Sequence, residues 1–368
     1  MRIVLATPLY PPDIGGPATY CKLLEEEFPQ QGIEVEVVAF AQVRGMPRII
    51  RHIAYFVLVK RALRKAEVVL ALDPVSVGLP VCLACWGTGK PFFLKIVGDY
   101  AWEQGRQRFG VSVGIDEFIL DKNIPFVLRI LRYIQVGVAS RAKHILVPSQ
   151  YLKKIIGLWG IPLSKIEVIY NSVSLETNAE VLPEMIAKLP RPRVVTAGRL
   201  VPWKHMDGVI DAVARVRMNG VNASLVIVGE GPLEEKLRAQ ARQKLGTSCV
   251  MPGKLTHAET LTVIKDADVF VLNSSYEGLS HVLIEAQILA TPTIATEVGG
   301  NPEVIFHGKN GLLVPPENVS ALASSLEDLL KNTQLRSVLA DGARKLSSRF
   351  SVDEMITKTA NVVSKSTP

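Results

Sequence analysis

Two glutamates eight positions apart, Glu277 and Glu285, offer the most specific chemistry in this chain, within residues 273–286, NSSYEGLSHVLIEA. The strand-like run Val269–Leu272 precedes them. A loop then carries Glu277, and a helix is expected to start near His281, so Glu285 falls about one turn into it. The backbone N–H groups of Leu279, Ser280 and His281 are then helix-start donors without intrahelical partners, and with the helix dipole they favour an anion. A carboxylate accepts two sugar hydroxyls well, on a hexose or on a ribose. The same spacing also suits a helix-capping Glu followed by a surface Glu.

A second group is cationic. In residues 196–204, TAGRLVPWK, Arg199 follows a strand and a glycine, and Lys204 comes five positions later across a proline. Two cations at the carboxyl end of a strand suit a diphosphate, although solvated loop cations look the same. Gly229, in the Val228–Pro232 turn VGEGP, could let backbone approach a ligand or simply make the turn. Gly15 and Gly16 lie in the first loop but lack the spacing of the G-x-G-x-x-G fingerprint. No acidic residue is placed for a nicotinamide ribose, which counts against a dehydrogenase.

Other residue types give weaker signals. Asp266 and Asp268 form a D-x-D, but at a helix-to-strand junction where metal binding is not expected. The six histidines show no metal-ligand spacing. Cys82 and Cys85 sit in an apolar run, so core packing is expected rather than redox or metal chemistry. No metal and no cofactor are expected.

The elements that must position these groups alternate. Ile3–Ala6, Val35–Phe40, Val68–Leu72, Phe92–Val97, Ile145–Val147 and Lys165–Ile169 read as strands. A second set follows at Val194–Ala197, Ser224–Val228, Val250–Met251, Val269–Leu272, Thr293–Ala295 and Gly311–Val314. Helical stretches, Thr19–Gln31 among them, lie between most of these. Apolar strands alternating with helices imply parallel sheets covered on both faces. Leu175–Arg193 is rich in Glu, Pro and Asn and is expected to be the linker. Residues 320–365 read as helical, with a break near Ser347–Ser351. The expected division is residues 1–180, residues 190–347 and a C-terminal helix at 348–368 that crosses back to the first domain.

The 368 residues are 48% hydrophobic, enough for two cores. The net charge of +7 lies mostly in residues 1–180, which hold 21 Lys or Arg against 16 Asp or Glu. Arg44, Arg48, Arg51, Lys60, Arg61, Arg64 and Lys65 interleave with Ile, Val, Phe and Leu. That stretch reads as a solvated helix face or as a basic amphipathic face on anionic lipid. Few cysteines and no visible leader fit a cytoplasmic protein, with the inner face of the cell membrane as the peripheral alternative.

Taken in order, these segments resemble the retaining glycosyltransferase family 4 of GT-B fold. The resemblance rests on Gly198-Arg199-Leu200 with Lys204, on the VGEGP turn, and on Glu277 with seven residues before Glu285. TPTIATEVGGNPE (291–303) and NGLLVP (310–315) add to it, as do YPPDIGG (10–16), VPS (147–149) and VIYN (168–171). It implies α/β architecture with two Rossmann-like domains facing across a cleft. The donor would be a nucleotide-diphosphate sugar, UDP ahead of GDP. The acceptor would be a glycan or lipid-linked glycan, not nucleic acid. Arg199 and Lys204 would bind the diphosphate, and Glu285 the ribose. Glu277 would lie near the transferred sugar, with the 279–281 amides on sugar or phosphate. Gly15 and Gly16 would close on the diphosphate from the other domain, Gly229 would border the donor, and Lys254 and Leu255 would meet the base. The family often carries a His-Asp pair after the fourth strand. Here Gly98 takes the His place and Asp99 remains, as the candidate to orient acceptor or donor hydroxyls. A sugar-nucleotide epimerase on the same scaffold, or a non-catalytic nucleotide-sugar-binding protein, stand as alternatives.

Overall fold

The computed structural model describes residues 1–13, 15–173 and 181–365. The chain packs into two compact units, residues 1–171 with 352–368, and residues 172–351. Residues 174–180, within or beside the expected linker, lie outside the described residues, as do Ile14 of the first loop and the side chains of Arg48 and Ile49.

The first unit runs β1 (Arg2–Thr7), α1 (Gly16–Glu27), β2 (Glu34–Ala39), α2 (Arg48–Ala62), β3 (Val68–Ala71), α3 (Gly78–Trp86) and β4 (Phe92–Lys95). It continues with α4 (Tyr100–Arg108), α5 (Ile115–Leu120), α6 (Phe126–Arg141), β5 (Ile145–Val147), α7 (Gln150–Leu158) and β6 (Ile166–Val168). The second unit begins with α8 (Glu184–Ala187), β7 (Arg193–Ala197), α9 (Met206–Met218), β8 (Ser224–Val228), α10 (Glu234–Leu245), β9 (Cys249–Gly253) and α11 (His257–Asp266). It ends with β10 (Val269–Leu272), α12 (His281–Ile288), β11 (Thr293–Thr296), α13 (Asn301–Val304), β12 (Leu312–Val314), α14 (Val319–Lys331) and α15 (Thr333–Leu346). The last helix, α16 (Val352–Ser364), belongs to the first unit.

Each unit holds one six-stranded parallel sheet, ordered β2-β1-β3-β4-β5-β6 and β12-β11-β10-β7-β8-β9. These are two Rossmann-like folds. Central strands such as VVLA in β3 and VFVL in β10 are fully buried apolar runs, because helices cover both faces, while the edge strands β2 and β9 are only partly buried. The second unit's core draws on β7, β8 and β10 with α9, α10 and α14. In the first unit, Met355, Ile356, Ala360 and Val363 of α16 pack into one cluster with Ile3, Leu5, Tyr20 and Phe28.

Strand order decides where a ligand can sit. In an open parallel sheet the crevice lies beyond the carboxyl ends of the strands, where consecutive connections leave a strand in opposite directions. In the second unit that point is between β7 and β10, and in the first between β1 and β3. The helical stretch past residue 320 breaks at Asn332, which caps α15 by accepting from Leu335 N, as well as at Ser347–Phe350.

Candidate active site

The loops after β7 and β10 flank the second unit's crossover point, and they carry Arg199 and Lys204, and Glu277, respectively. Lys204 ends a short 3-10 turn over Pro202–Lys204, and its ammonium is ion-paired with Glu277 Oε1. The two side chains are only 15% and 10% exposed, so water screens the pair little. Ser274 Oγ donates to the same Oε1 at 2.6 Å. Arg199, by contrast, is exposed and makes no side-chain hydrogen bond or ion pair among the described residues.

Glycines lock the Glu277 loop in place. A Cβ on Gly299 would stand 1.9 Å from the Glu277 carbonyl oxygen, and one on Gly300 2.4 Å from that of Gly278. Gly300 N donates to Glu277 O at 3.0 Å. The TEVGGNPE segment therefore lies directly on the backbone of the loop. Thr296 Oγ1 donates to Ser274 O at 2.5 Å, and Asn273 Nδ2 to His205 O at 2.9 Å, tying the loop to β11 and to the β7 side.

The helix after the loop starts at His281, with Ser280 at its N-cap and no side-chain cap on its first N–H groups. Leu279 and Ser280 are buried at its mouth. Glu285, one turn in and 7% exposed, meets His257 Nε2 at 2.9 Å. His257 opens α11, where Thr256 and Glu259 form a capping box. Lys254 and Leu255 follow β9, with Lys254 exposed and 3.8 Å from Glu230. The loops after β7, β8, β9 and β10 thus bring all the second-unit candidates to one edge of the sheet.

Gly229 opens the turn that follows β8. A Cβ there would stand 2.0 Å from Gly198 O, and one on Gly231 2.5 Å from Leu200 O. The glycines of VGEGP are therefore required by the close approach of the β8 loop to the Gly198–Leu200 backbone. Of the two readings that the sequence leaves open, a ligand contact or the turn itself, this packing accounts for the turn. The turn acts by holding the segment that carries Arg199.

Three candidates lie in the first unit. Gly15, at φ 151°, is the N-cap of α1, and Gly16 is its first residue, in the loop beside the β1/β3 crossover. Asp99 is the N-cap of α4. It accepts from Trp102 N at 2.9 Å and is 1% exposed. Burial raises its pKa, against the pull of the Trp102 amide, Gln135, Arg132 and Trp159. Its capping geometry is the structural alternative to a ligand contact.

The D-x-D carboxylates are already engaged. Asp266 holds Arg191 at 2.5 Å and Arg193 at 2.6 Å, and Asp268 holds Arg191 at 2.9 Å. Among the described residues no group of three His, Cys, Asp or Glu could hold a metal ion. The four cysteines are free. Sequence reasoning missed Ser274, His257 and the Gly299–Gly300 prop. The glycine pair was visible as a signal, but its partner 22 residues away was not.

Comparison with known proteins follows the two units. A family profile described as Glycosyltransferase Family 4 matches residues 14–177, and one described as Glycosyl transferases group 1 matches residues 183–346. An uncharacterized glycosyltransferase of Methanocaldococcus jannaschii is 25% identical over 98% of this chain and 97% of its own length. A GDP-mannose-dependent phosphatidylinositol monomannoside mannosyltransferase of Mycobacterium tuberculosis is 36% identical over 38% of each chain. The crystal structure of Anabaena HepE with UDP-glucose superposes with a TM-score of 0.77 at 20% identity, covering 99% of this chain and 100% of that one.

Proposed function

The chain belongs to the family 4 glycosyltransferases, and from that premise we propose that it transfers a hexose or N-acetylhexosamine from a UDP- or GDP-sugar to a glycan or lipid-linked glycan, with retention of configuration. The observation that carries this reading is the placement of Arg199, Lys204 and Glu277 at the β7/β10 crossover, two cations and a carboxylate where a diphosphate and its sugar would lie. HepE, of the same fold, is described with UDP and UDP-glucose, and the mycobacterial relative's name carries a nucleotide-sugar donor and a lipid acceptor.

In this reading the Lys204–Glu277 pair exchanges partners. The donor diphosphate draws Lys204, and with Arg199 the two cations offset charge building on the leaving group. Glu277, released, accepts sugar hydroxyls and faces the positive charge that develops at the anomeric carbon. Glu285 accepts ribose hydroxyls in place of His257, and the first N–H groups of α12 take up anionic charge. Gly15 and Gly16, at the start of α1, are further candidates for diphosphate contact, and Lys254 and Leu255 border the base. Asp99 acts through position, holding the segment after β4 by its cap on α4. The acceptor brings the protein to the inner face of the membrane as a peripheral cytoplasmic enzyme.

A thermal-shift screen with UDP, GDP, ADP and dTDP identifies the nucleotide, since a ligand of the folded state raises its melting point. Calorimetry and initial rates on Glu277→Gln and Glu285→Gln then test the roles. Glu285→Gln is expected to weaken nucleoside diphosphate binding and raise KM, because it removes uniform binding. Glu277→Gln is expected to lower kcat far more than it weakens nucleotide binding. The reverse pattern would exchange the two assignments. Epimerised or untransformed donor, with no transfer or hydrolysis, would overturn the transferase reading.

A further inference from the structure

In the first unit α2 packs against α3 and α3 against α6, forming one helical layer. Its outward positions are apolar at helical spacing. Ile50, Ile53 and Val57 are exposed along α2, Leu83 and Trp86 on α3, and Ile130 and Tyr133 on α6. Trp86 is 84% exposed and Tyr133 82%. Between α3 and α6 lies a groove of about 720 Å³, within the ~300–1,000 Å³ typical of ligand pockets. Leu79, Cys82, Ile134 and Val138 line it, together with Trp86 and Tyr133. Burial raises the Cys82 pKa, so this thiol forms part of an apolar wall.

The charge carried by the three helices has one sign. No Asp or Glu occurs in residues 37–66, 74–98 or 122–166, which contain all of α2, α3 and α6. Arg141, Lys90 and Lys143 also line the groove, and Lys60, Arg61, Arg64 and Lys65 end α2 and follow it. A protein partner would need its polar backbone satisfied, and the groove walls offer mainly hydrocarbon. A hydrocarbon chain needs nothing more, and its anionic headgroup meets the cations. Exposed Trp and Tyr are the side chains suited to a boundary between water and lipid. Among the described residues no helix is long and apolar enough to cross a membrane, so the contact lies on the surface.

We propose that this layer seats the first unit on an anionic bilayer, with the α3–α6 groove taking one hydrocarbon chain of an anionic lipid. The inference draws its purpose from the reading of a lipid-linked acceptor, while its chemistry stands on this face alone. It extends the basic stretch 44–65 to a three-helix surface with a chain-binding site.

The test uses the full chain, without donor, and vesicles of phosphatidylglycerol with phosphatidylcholine or of phosphatidylcholine alone. Flotation is expected with the anionic vesicles only, falling at high salt as charges are screened. Vesicles with brominated acyl chains are expected to quench tryptophan emission, and Trp86→Phe to remove that quenching while flotation persists. Lys60→Glu with Arg61→Glu and Arg141→Glu is expected to lower the bound fraction at least tenfold, with an unchanged melting point showing an intact fold. Flotation with unchanged emission would remove the chain from the groove. Equal absence from both vesicle types, or a dimer in ultracentrifugation that Trp86→Ala dissolves, would overturn the proposal, the latter by assigning the face to a second copy. Arg199→Ala should float normally while losing transfer, so docking and catalysis fail separately.

Discussion

Lys204 and Glu277 hold each other where water barely reaches, while Arg199 stands exposed beside them without a partner among the described residues. The two cations should therefore fail differently. Arg199→Ala is expected to cut transfer about a hundredfold or more, the usual effect of removing one transition-state electrostatic group, with stability shifted by no more than about 0.5 kcal/mol. Lys204→Ala should cost a similar rate and also destabilise by roughly 1–3 kcal/mol, because it strands a nearly buried carboxylate on Ser274 alone. Initial rates beside thermal denaturation separate the two. Near-normal turnover in both variants would sink the diphosphate assignment. A second residue-scale effect belongs to Lys95, fully buried on β4, where desolvation lowers its pKa to about 7. The Tyr20 ring, 4.3 Å from its ammonium, offsets part of that cost. The unfolded chain binds this proton up to about pH 10 and the folded one only to about 7, so between these values the unfolded state holds more protons and stability rises with pH. The contribution is at most ~1.4 kcal/mol per pH unit. Lys95→Met should flatten that slope in melting curves taken from pH 7 to 9.

The loops that aim these side chains are set by backbone meeting backbone. Gly299, at φ 54°, has room for no Cβ because the Glu277 carbonyl occupies that space. Gly299→Ala must displace the β10 loop. It is expected to cost on the order of 1–3 kcal/mol from strain and to lower kcat by up to ~100-fold, the scale of a 1 Å misplacement. Gly246→Ala is the control. It too has positive φ, at 56°, but nothing lies within 4 Å of its Cβ, so it should lose about 1 kcal/mol and no activity. Equal activity in the two variants would show that the prop does not position Glu277. The β8 turn is built the same way, with Gly229 and Gly231 pressed on Gly198–Leu200.

For the whole molecule, the last helix decides how the first unit closes. Met355, Ile356, Ala360 and Val363 are buried against Ile3, Leu5, Tyr20 and Phe28, and Tyr20 Oη meets Thr359 Oγ1 at 3.1 Å. At ~1.5–3 kcal/mol for each buried Met, Ile or Val, the helix contributes roughly 5 kcal/mol or more to that unit. A chain ending at residue 351 is expected to lose the first unit's calorimetric transition, or shift it far down, and to bind a hydrophobic dye. The transition of residues 172–351 should remain. One unchanged two-transition profile would refute this.

The sequence by itself determined the two sheets, because strands buried on both faces must be apolar throughout and short apolar runs alternating with helical stretches leave little else. Predicted and observed strands agree to within two residues at every end, and Ile145–Val147, Ser224–Val228 and Val269–Leu272 agree at both. It also marked Arg199, Lys204, Glu277 and Glu285 through their place after strands. Local pattern could not show which groups would meet. Lys204 and Glu277 are 73 positions apart and pair because β10 lies beside β7 in the sheet, an order that no local signal encodes. The same holds for His257 against Glu285 and for Gly299 beneath Glu277. Nothing local marks Trp86 and Tyr133 as exposed, and only the packing of α3 beside α6 left them outside. Periodicity within a segment reports burial of a face, but which segment covers that face, and which face stays bare, is fixed only when distant elements pack.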